Sequence, residues 1–289
     1  MTLLNLLSQG ILLGGLFAMA ALGLSLAFGV LRVVNLAHGD IMTLGAYLAY
    51  VTMAYSGVSA GISLLIVVPA LAFAGFWVQK LVLQRALRIS ELAPLLVTFG
   101  LAVMIPNSLV EIFTSNKQPI PTGNLAVASV SLGGINVGLL PLLTLITAVA
   151  MIFMLQLFLQ KTPTGRYMRA AADDWETLRM MGVDHRRVYA YAMGIAFGIA
   201  AVAGVLFGAR QGGVTPFDGQ LAVLFAFETV VIGGLGSLWG TLVGGIVLGL
   251  AQVLAGQIDP QLPLLAGHLV FLLVLVFRPN GIISSKAVT

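Results

Sequence analysis

Residues 161–187 read KTPTGRYMRAAADDWETLRMMGVDHRR, from Lys161 to Arg187, and they are the most polar stretch of a strongly apolar chain. Ten of the 24 charged residues fall here, in a sequence that is 59% hydrophobic. Met168, Ala171, Trp175, Leu178 and Met181 recur at three- and four-residue steps, while Arg166, Arg169, Asp173, Asp174, Glu176 and Arg179 occupy the remaining positions. That spacing predicts a short amphipathic helix. Thr164 suits its N-cap, and Gly182 suits the left-handed residue that ends a helix. Such a helix, held between apolar segments, lies in solvent, lies on lipid headgroups, or docks on another subunit. A lipid-binding face is dominated by Lys and Arg. Six basic and four acidic residues therefore favour docking on a protein.

Outward from this island the chain is membrane material. Its mean hydropathy is +1.05 and 8% of its residues are charged, against about a quarter in ordinary soluble domains. Charge-free runs such as Gln118–Gln160 and Thr229–Ile258 contain the roughly 20 apolar residues that cross a bilayer. The fold class is an all-α polytopic membrane protein, a single transmembrane domain over residues 1–289. Spans are expected near Gly10–Val30, Ile41–Tyr55, Ala60–Gln79, Leu92–Phe113, Leu139–Leu159, Val188–Gly208, Leu221–Ile232, Leu238–Gly256 and Leu262–Phe277. Two are short enough to be broken or re-entrant, so the expected count is eight or nine.

Charge sets an expected orientation. With residues 161–187 in the cytoplasm, Arg32, Lys80, Arg85, Arg88, Arg278 and Lys286 join the six basic residues of that segment inside, and only Lys117 and Arg210 fall outside. The positive-inside rule then places the N-terminus outside and the C-terminus inside. The external loop 114–138, with Pro119 and Pro121, reads as an extended cap. The apolar N-terminal stretch lacks a basic flank and is expected to stay as a span.

Several chemistries lack residues. There is no cysteine, hence no disulfide and no thiolate metal site. No HExxH spacing and no GxxxxGK[ST] phosphate loop occurs, no metal or cofactor site is expected, and no nucleic-acid partner is implied. No catalytic site is expected on this chain. Glycine carries other information. Gly236, Gly240 and Gly244 repeat every four residues, as do Gly245 and Gly249, a spacing that brings neighbouring membrane helices close. The polar stretches Asn35–Asp40 and Gly233–Ser237 interrupt apolar helices in the two halves of the chain, and paired interruptions point to a transport path. Asn35, His38, Gly39, Asp40, Glu228, Gly233, Gly234, Gly236 and Ser237 are the candidate path residues. Each has a plainer reading: Asp40 in a helix first turn, Glu228 paired across helices with a base such as Arg32, His38 as a packed and satisfied ring.

Three motifs carry a resemblance. Asn35-Leu-Ala-His-Gly-Asp-Ile-Met-Thr-Leu-Gly-Ala-Tyr47, then Thr164-Gly-Arg-Tyr-Met-Arg-Ala-Ala-Ala-Asp-Asp174 with Met181-Gly-Val-Asp184, and Val231-Ile-Gly-Gly-Leu-Gly-Ser-Leu-Trp-Gly-Thr241 with Arg278-Pro-Asn-Gly281 resemble the branched-chain amino acid ABC importer permeases, in order and over nearly the whole chain. The resemblance is to the smaller of the two permeases that pair in these importers. It implies a bacterial inner-membrane subunit with a second, longer permease, two ATPase subunits carrying ATP and Mg, and a periplasmic solute-binding protein as partners. It also makes the 161–187 helix the one that rests on an ATPase. Relatives in the same family import urea, short amides or other carboxylates, so the solute stays open. From a different class, a proton-coupled secondary transporter using Asp40 or Glu228 as its relay is the competing reading, and a passive channel is the third.

Overall fold

The computed structural model describes residues 3–90, 92–132 and 135–283; Lys286 lies outside them. Among the described residues nine long helices form where the apolar runs predict them. They are α1 (Leu3–Leu31), α2 (His38–Ser56), α3 (Ala60–Val78, continued through a π-turn at Gln79–Leu83), α4 (Ala93–Phe113) and α5 (Leu139–Lys161). Two short helices follow, α6 (Pro163–Asp173) and α7 (Trp175–Met180). Then come α8 (His185–Gln211), α9 (Asp218–Gly233), α10 (Leu238–Ile258) and α11 (Leu262–Phe277). Among the described residues six helices have both the length and the apolarity of a full span: α1, α3, α4, α5, α8 and α10. The 114–138 loop contains a two-stranded antiparallel hairpin, β1 (Ser129–Leu132) with β2 (Ile135–Gly138), in which Val130 faces Val137.

α1 and α8 form the centre and are mostly enclosed, whereas α3, α4 and α5 are mostly exposed. Small residues build this centre. A Cβ on Gly14 would lie 2.5 Å from the Ile246 Cα, and Gly245 and Gly249 of α10 press on the backbone of α1 at Gly14 and Gly10. Gly240 and Gly244 on the same helix press on Gly233 and Thr229 of α9. The four-residue glycine steps are thus two packing seams of one helix, which is what close approach of membrane helices needs.

The helix contacts of the two halves follow one pattern. α1 packs on α10 much as α8 packs on α3, and α1 also meets α8 and α2 meets α9. α1 ends beside α6, where Arg32 Nη2 donates to the Ala172 carbonyl (2.9 Å). α8 starts beside that same segment and ends at the opposite face, where Lys117 donates to the Gln211 carbonyl (2.6 Å). The two units therefore run in opposite directions. Arg32, Lys80, Arg85, Arg88, residues 161–187 and Arg278 collect at one end, the basic end, while Lys117 and Arg210 lie at the other.

Candidate functional site

Each half turns back on itself after its long helix. After α1, residues 32–37 return along the helix: Arg32 adopts φ +54°, Asn35 Oδ1 accepts from the Ala37 amide (3.1 Å), and α2 starts at His38. The His38 Nε2 bonds the Ala20 carbonyl oxygen (2.8 Å). Ala20 lies 11 residues before the end of α1, so α2 begins about 16 Å inside the bundle. Gly212 (φ +71°) likewise ends α8, and residues 213–217 return to start α9 at Asp218. Gln118 and Val214 exchange backbone bonds of 2.8 Å in each direction and tie this second return to the 114–138 loop.

The two mid-bundle helix starts meet each other. Gly39 of α2 faces the Gly219 carbonyl, and a Cβ on Gly39 would also lie 2.7 Å from the Val223 amide nitrogen. Gly204 of α8 packs on the Met42 carbonyl. Only glycine leaves room for such backbone-on-backbone contact. Asp40 is 2% exposed, its Oδ1 lies against Gly219, and that oxygen has no hydrogen-bond partner among the described residues. Asp218 by contrast accepts from the Thr215 amide (2.8 Å) and hydroxyl (2.6 Å). Asn35, His38, Gly39 and Asp40 are therefore brought together, joined by Thr215, Asp218 and Gly219.

Gly233, Gly234, Gly236 and Ser237 are not part of that junction. They sit at the basic end, where Gly236 (φ +80°) touches Gly29 and Gly234 (φ +111°) touches Asn280 and Ile283. The start of α10 has a cap already: Ser237 Oγ accepts from the Gly240 amide (3.0 Å). The Arg278–Gly281 turn sends the chain back so that the Ile282 and Ile283 amides bond the carbonyls of Ile232 and Gly233 (2.9 and 3.0 Å). The counterpart of the Asn35–Asp40 break is thus Thr215–Gly219. The sequence signal was there, a Gly-Gly and a Pro before Asp218-Gly219, offset by 180 residues from His38-Gly39. Glu228 is buried and bonds His268 Nδ1 of α11, not Arg32, whose guanidinium goes to Ala172.

At the basic end the polar island is two helices rather than one. Thr162, not Thr164, caps α6, accepting from the Gly165 amide (3.0 Å) with Pro163 in the first turn. Asp174 leaves the helical conformation (φ −152°, ψ 100°) and caps α7, accepting from the amides of Glu176 (2.9 Å) and Thr177 (3.1 Å). Those bonds hold its carboxyl below the ordinary carboxylate range, the Thr177 hydroxyl contributing most. Gly182 takes φ +81°, as the sequence predicts. The apolar stripe divides. Met168, Ala171 and Leu178 are buried in the chain's own core, but Trp175 is 41%, Met180 86% and Met181 76% exposed. Arg166, Arg169, Asp173 and Asp174 lie on the two helices around them.

The family model for the permease component of branched-chain amino acid transport systems matches residues 6–278. This chain belongs to that family. It is 28% identical to the high-affinity branched-chain amino acid transport system permease protein BraD of Pseudomonas aeruginosa, covering 99% of this chain and 97% of BraD. It is also 28% identical to the corresponding permease protein LivH of Escherichia coli (97% and 95% covered). The likeness to E. coli LivM is 27% and reaches 68% of that longer protein. The chain is therefore the smaller, LivH-type permease subunit of a multi-pass membrane transporter. No solved structure matches it.

Proposed function

We propose that this permease forms half of the translocation path of an ATP-driven importer of branched-chain or related amino acids, in the bacterial inner membrane. A longer LivM-type permease supplies the other half, a periplasmic binding protein delivers the solute, and two ATPase subunits hydrolyse ATP. The basic end faces the cytoplasm, so the N-terminus is outside. Six helices cross fully, and α2 and α9 start near the membrane midplane. A backbone start at that depth is tolerated only where protein encloses it or water lines it. The α2–α9 junction, with Asn35, His38, Gly39 and Asp40, is the closed point of the path. Gly233–Ser237 and Glu228 lie nearer the cytoplasmic mouth.

The observation that carries this reading is the position of Trp175, Met180 and Met181. Three large apolar side chains, two of them more than three-quarters exposed, stand at the charged end of a membrane protein, on and just after α7, and the preceding α6 is bonded to Arg32 at the end of α1. An ATPase covering them is coupled mechanically to the helix that leads into the junction. Interface anchors of this kind carry a few kcal/mol each. Met180→Asp with Met181→Asp should leave the permease pair intact in mild detergent and abolish co-purification of the ATPase subunits. Retention of the ATPases by this variant sinks the assignment. A proton-coupled carrier predicts a different pattern: uptake that collapses with a protonophore while ATP is held constant.

A further inference from the structure

We infer that the face of α2 carrying Asp40 and Tyr47, with Asp218 at the start of α9, holds the ammonium group of the solute when the junction opens. This rests on the importer reading above and assigns its polar contacts.

Tyr47 is 1% exposed, among the largest enclosed side chains, and its hydroxyl has no hydrogen-bond partner among the described residues. Its ring is fixed at 5.0 Å from that of Phe113. Asp40 and Tyr47 are seven residues apart, two helical turns, and so share one face of α2. That face looks at the second return: the Asp40 carboxylate touches Gly219, and Tyr47 shares a buried cluster with Val214. Two carboxylates and a phenol thus lie along this contact, and the Asp40 Oδ1 and Tyr47 hydroxyl oxygens among them are buried and unsatisfied. Buried polar atoms are nearly always paired, so two unpaired oxygens on one face of α2, opposite the start of α9, mark a ligand that is not there in the closed state.

The donor set defines that ligand. Every group offered is an acceptor, or a hydroxyl able to accept, and two are anionic. An ammonium carries three donors and no acceptor, which fits; a urea or a simple amide brings no charge to balance the carboxylates, and a lone carboxylate is repelled. The positive ends of α2 and α9 converge at the same point. A zwitterion therefore finds acceptors for its cation beside dipoles for its anion, whereas a fatty acid or an amide meets one half of the site.

The test uses the complete importer in proteoliposomes, with leucine as probe, reading uptake and binding-protein-stimulated ATP hydrolysis on the same vesicles. Tyr47→Phe keeps the ring against Phe113 and removes only the hydroxyl; Asp40→Asn removes only the charge. Each should lower leucine taken up per ATP hydrolysed about tenfold or more, since hydrogen bonds to charged groups are among the stronger ones. Unchanged stoichiometry in both variants overturns the assignment. So does a parallel fall of uptake and hydrolysis, which is the mark of packing residues. A wild-type importer that moves urea or an amide but no amino acid overturns the reading beneath it, and this assignment with it.

Discussion

The junction of α2 with α9 and the exposed segment at the basic end are both interruptions in a helical bundle, but they are built on opposite principles. At the junction, backbone meets backbone through Gly39, Gly219 and Gly204, and a methyl group has nowhere to go. At the basic end, α6 and α7 present large side chains outward and bury Gly165, Met168, Ala171, Ala172 and Leu178 against their own chain. A glycine contact has few intermediate states, because packed interfaces are bistable rather than elastic. An exposed helix pair is easily gripped. On the proposed importer reading the difference separates a two-state pivot from the handle that moves it, and Arg32, which follows α1 and bonds the Ala172 carbonyl of α6, joins the two.

The largest effects should fall at the pivot. Gly39→Val or Gly204→Val requires the opposing backbone to move, which costs about 3 kcal/mol or more, and folded permease should be lost. Gly61 and Gly100, with nothing within 4 Å of an added Cβ, provide the contrast: the same change there should leave the yield of monodisperse complex in detergent unaltered. Equal losses at all four glycines would erase the distinction between pivot and periphery.

At the handle, the comparison sharpens between neighbours. Leu178 is 3% and Met181 76% exposed, although both lie on the stripe that sequence spacing defines. Leu178→Ala should cost about 2–5 kcal/mol of local stability, read as faster hydrogen exchange across α7. Met181→Ala should stay within about 0.5 kcal/mol while weakening the hold of the ATPase.

Much of this was legible in the residues. The apolar runs place the long helices within about three positions, apart from α1, which starts at Leu3 and not near Gly10, because a helix in lipid must be continuous and apolar to satisfy its backbone. The glycine steps on α10 announce close packing, and the structure has it. What stayed hidden depends on contacts distant in sequence. Glu228 finds His268 across 40 residues, and no local pattern distinguishes that partner from Arg32. The start of α9 was placed three residues late, at Leu221 instead of Asp218, because Asp218-Gly219 reads as loop when its partner Gly39 is out of sight. Thr162 was legible after all: Pro163 favours a first helical turn, which puts the cap before it. Asp174 was not, since a six-residue helix gives periodicity too little length to show a break.

That break yields the subtlest prediction. Asp174 is exposed, and its carboxyl is held below the ordinary range by the Thr177 hydroxyl and by the amides of Thr177 and Glu176. A depressed folded-state value means that the cap is fully effective above the unfolded value and is lost as pH falls through the folded one. Neutral and alkaline conditions should therefore leave α7 equally protected, and acidification below the usual carboxylate range should release it. Exchange of the Glu176 and Thr177 amides, corrected for intrinsic rates, reads this directly. Asp174→Asn keeps an accepting oxygen without a titrating proton, so its α7 should lose that pH dependence while remaining capped. If the Asn variant instead frays at every pH, charge at the helix start rather than the hydrogen bonds holds α7. The handle would then be a helix kept in shape by electrostatics, sensitive to salt, beside a pivot that owes its form to sterics alone.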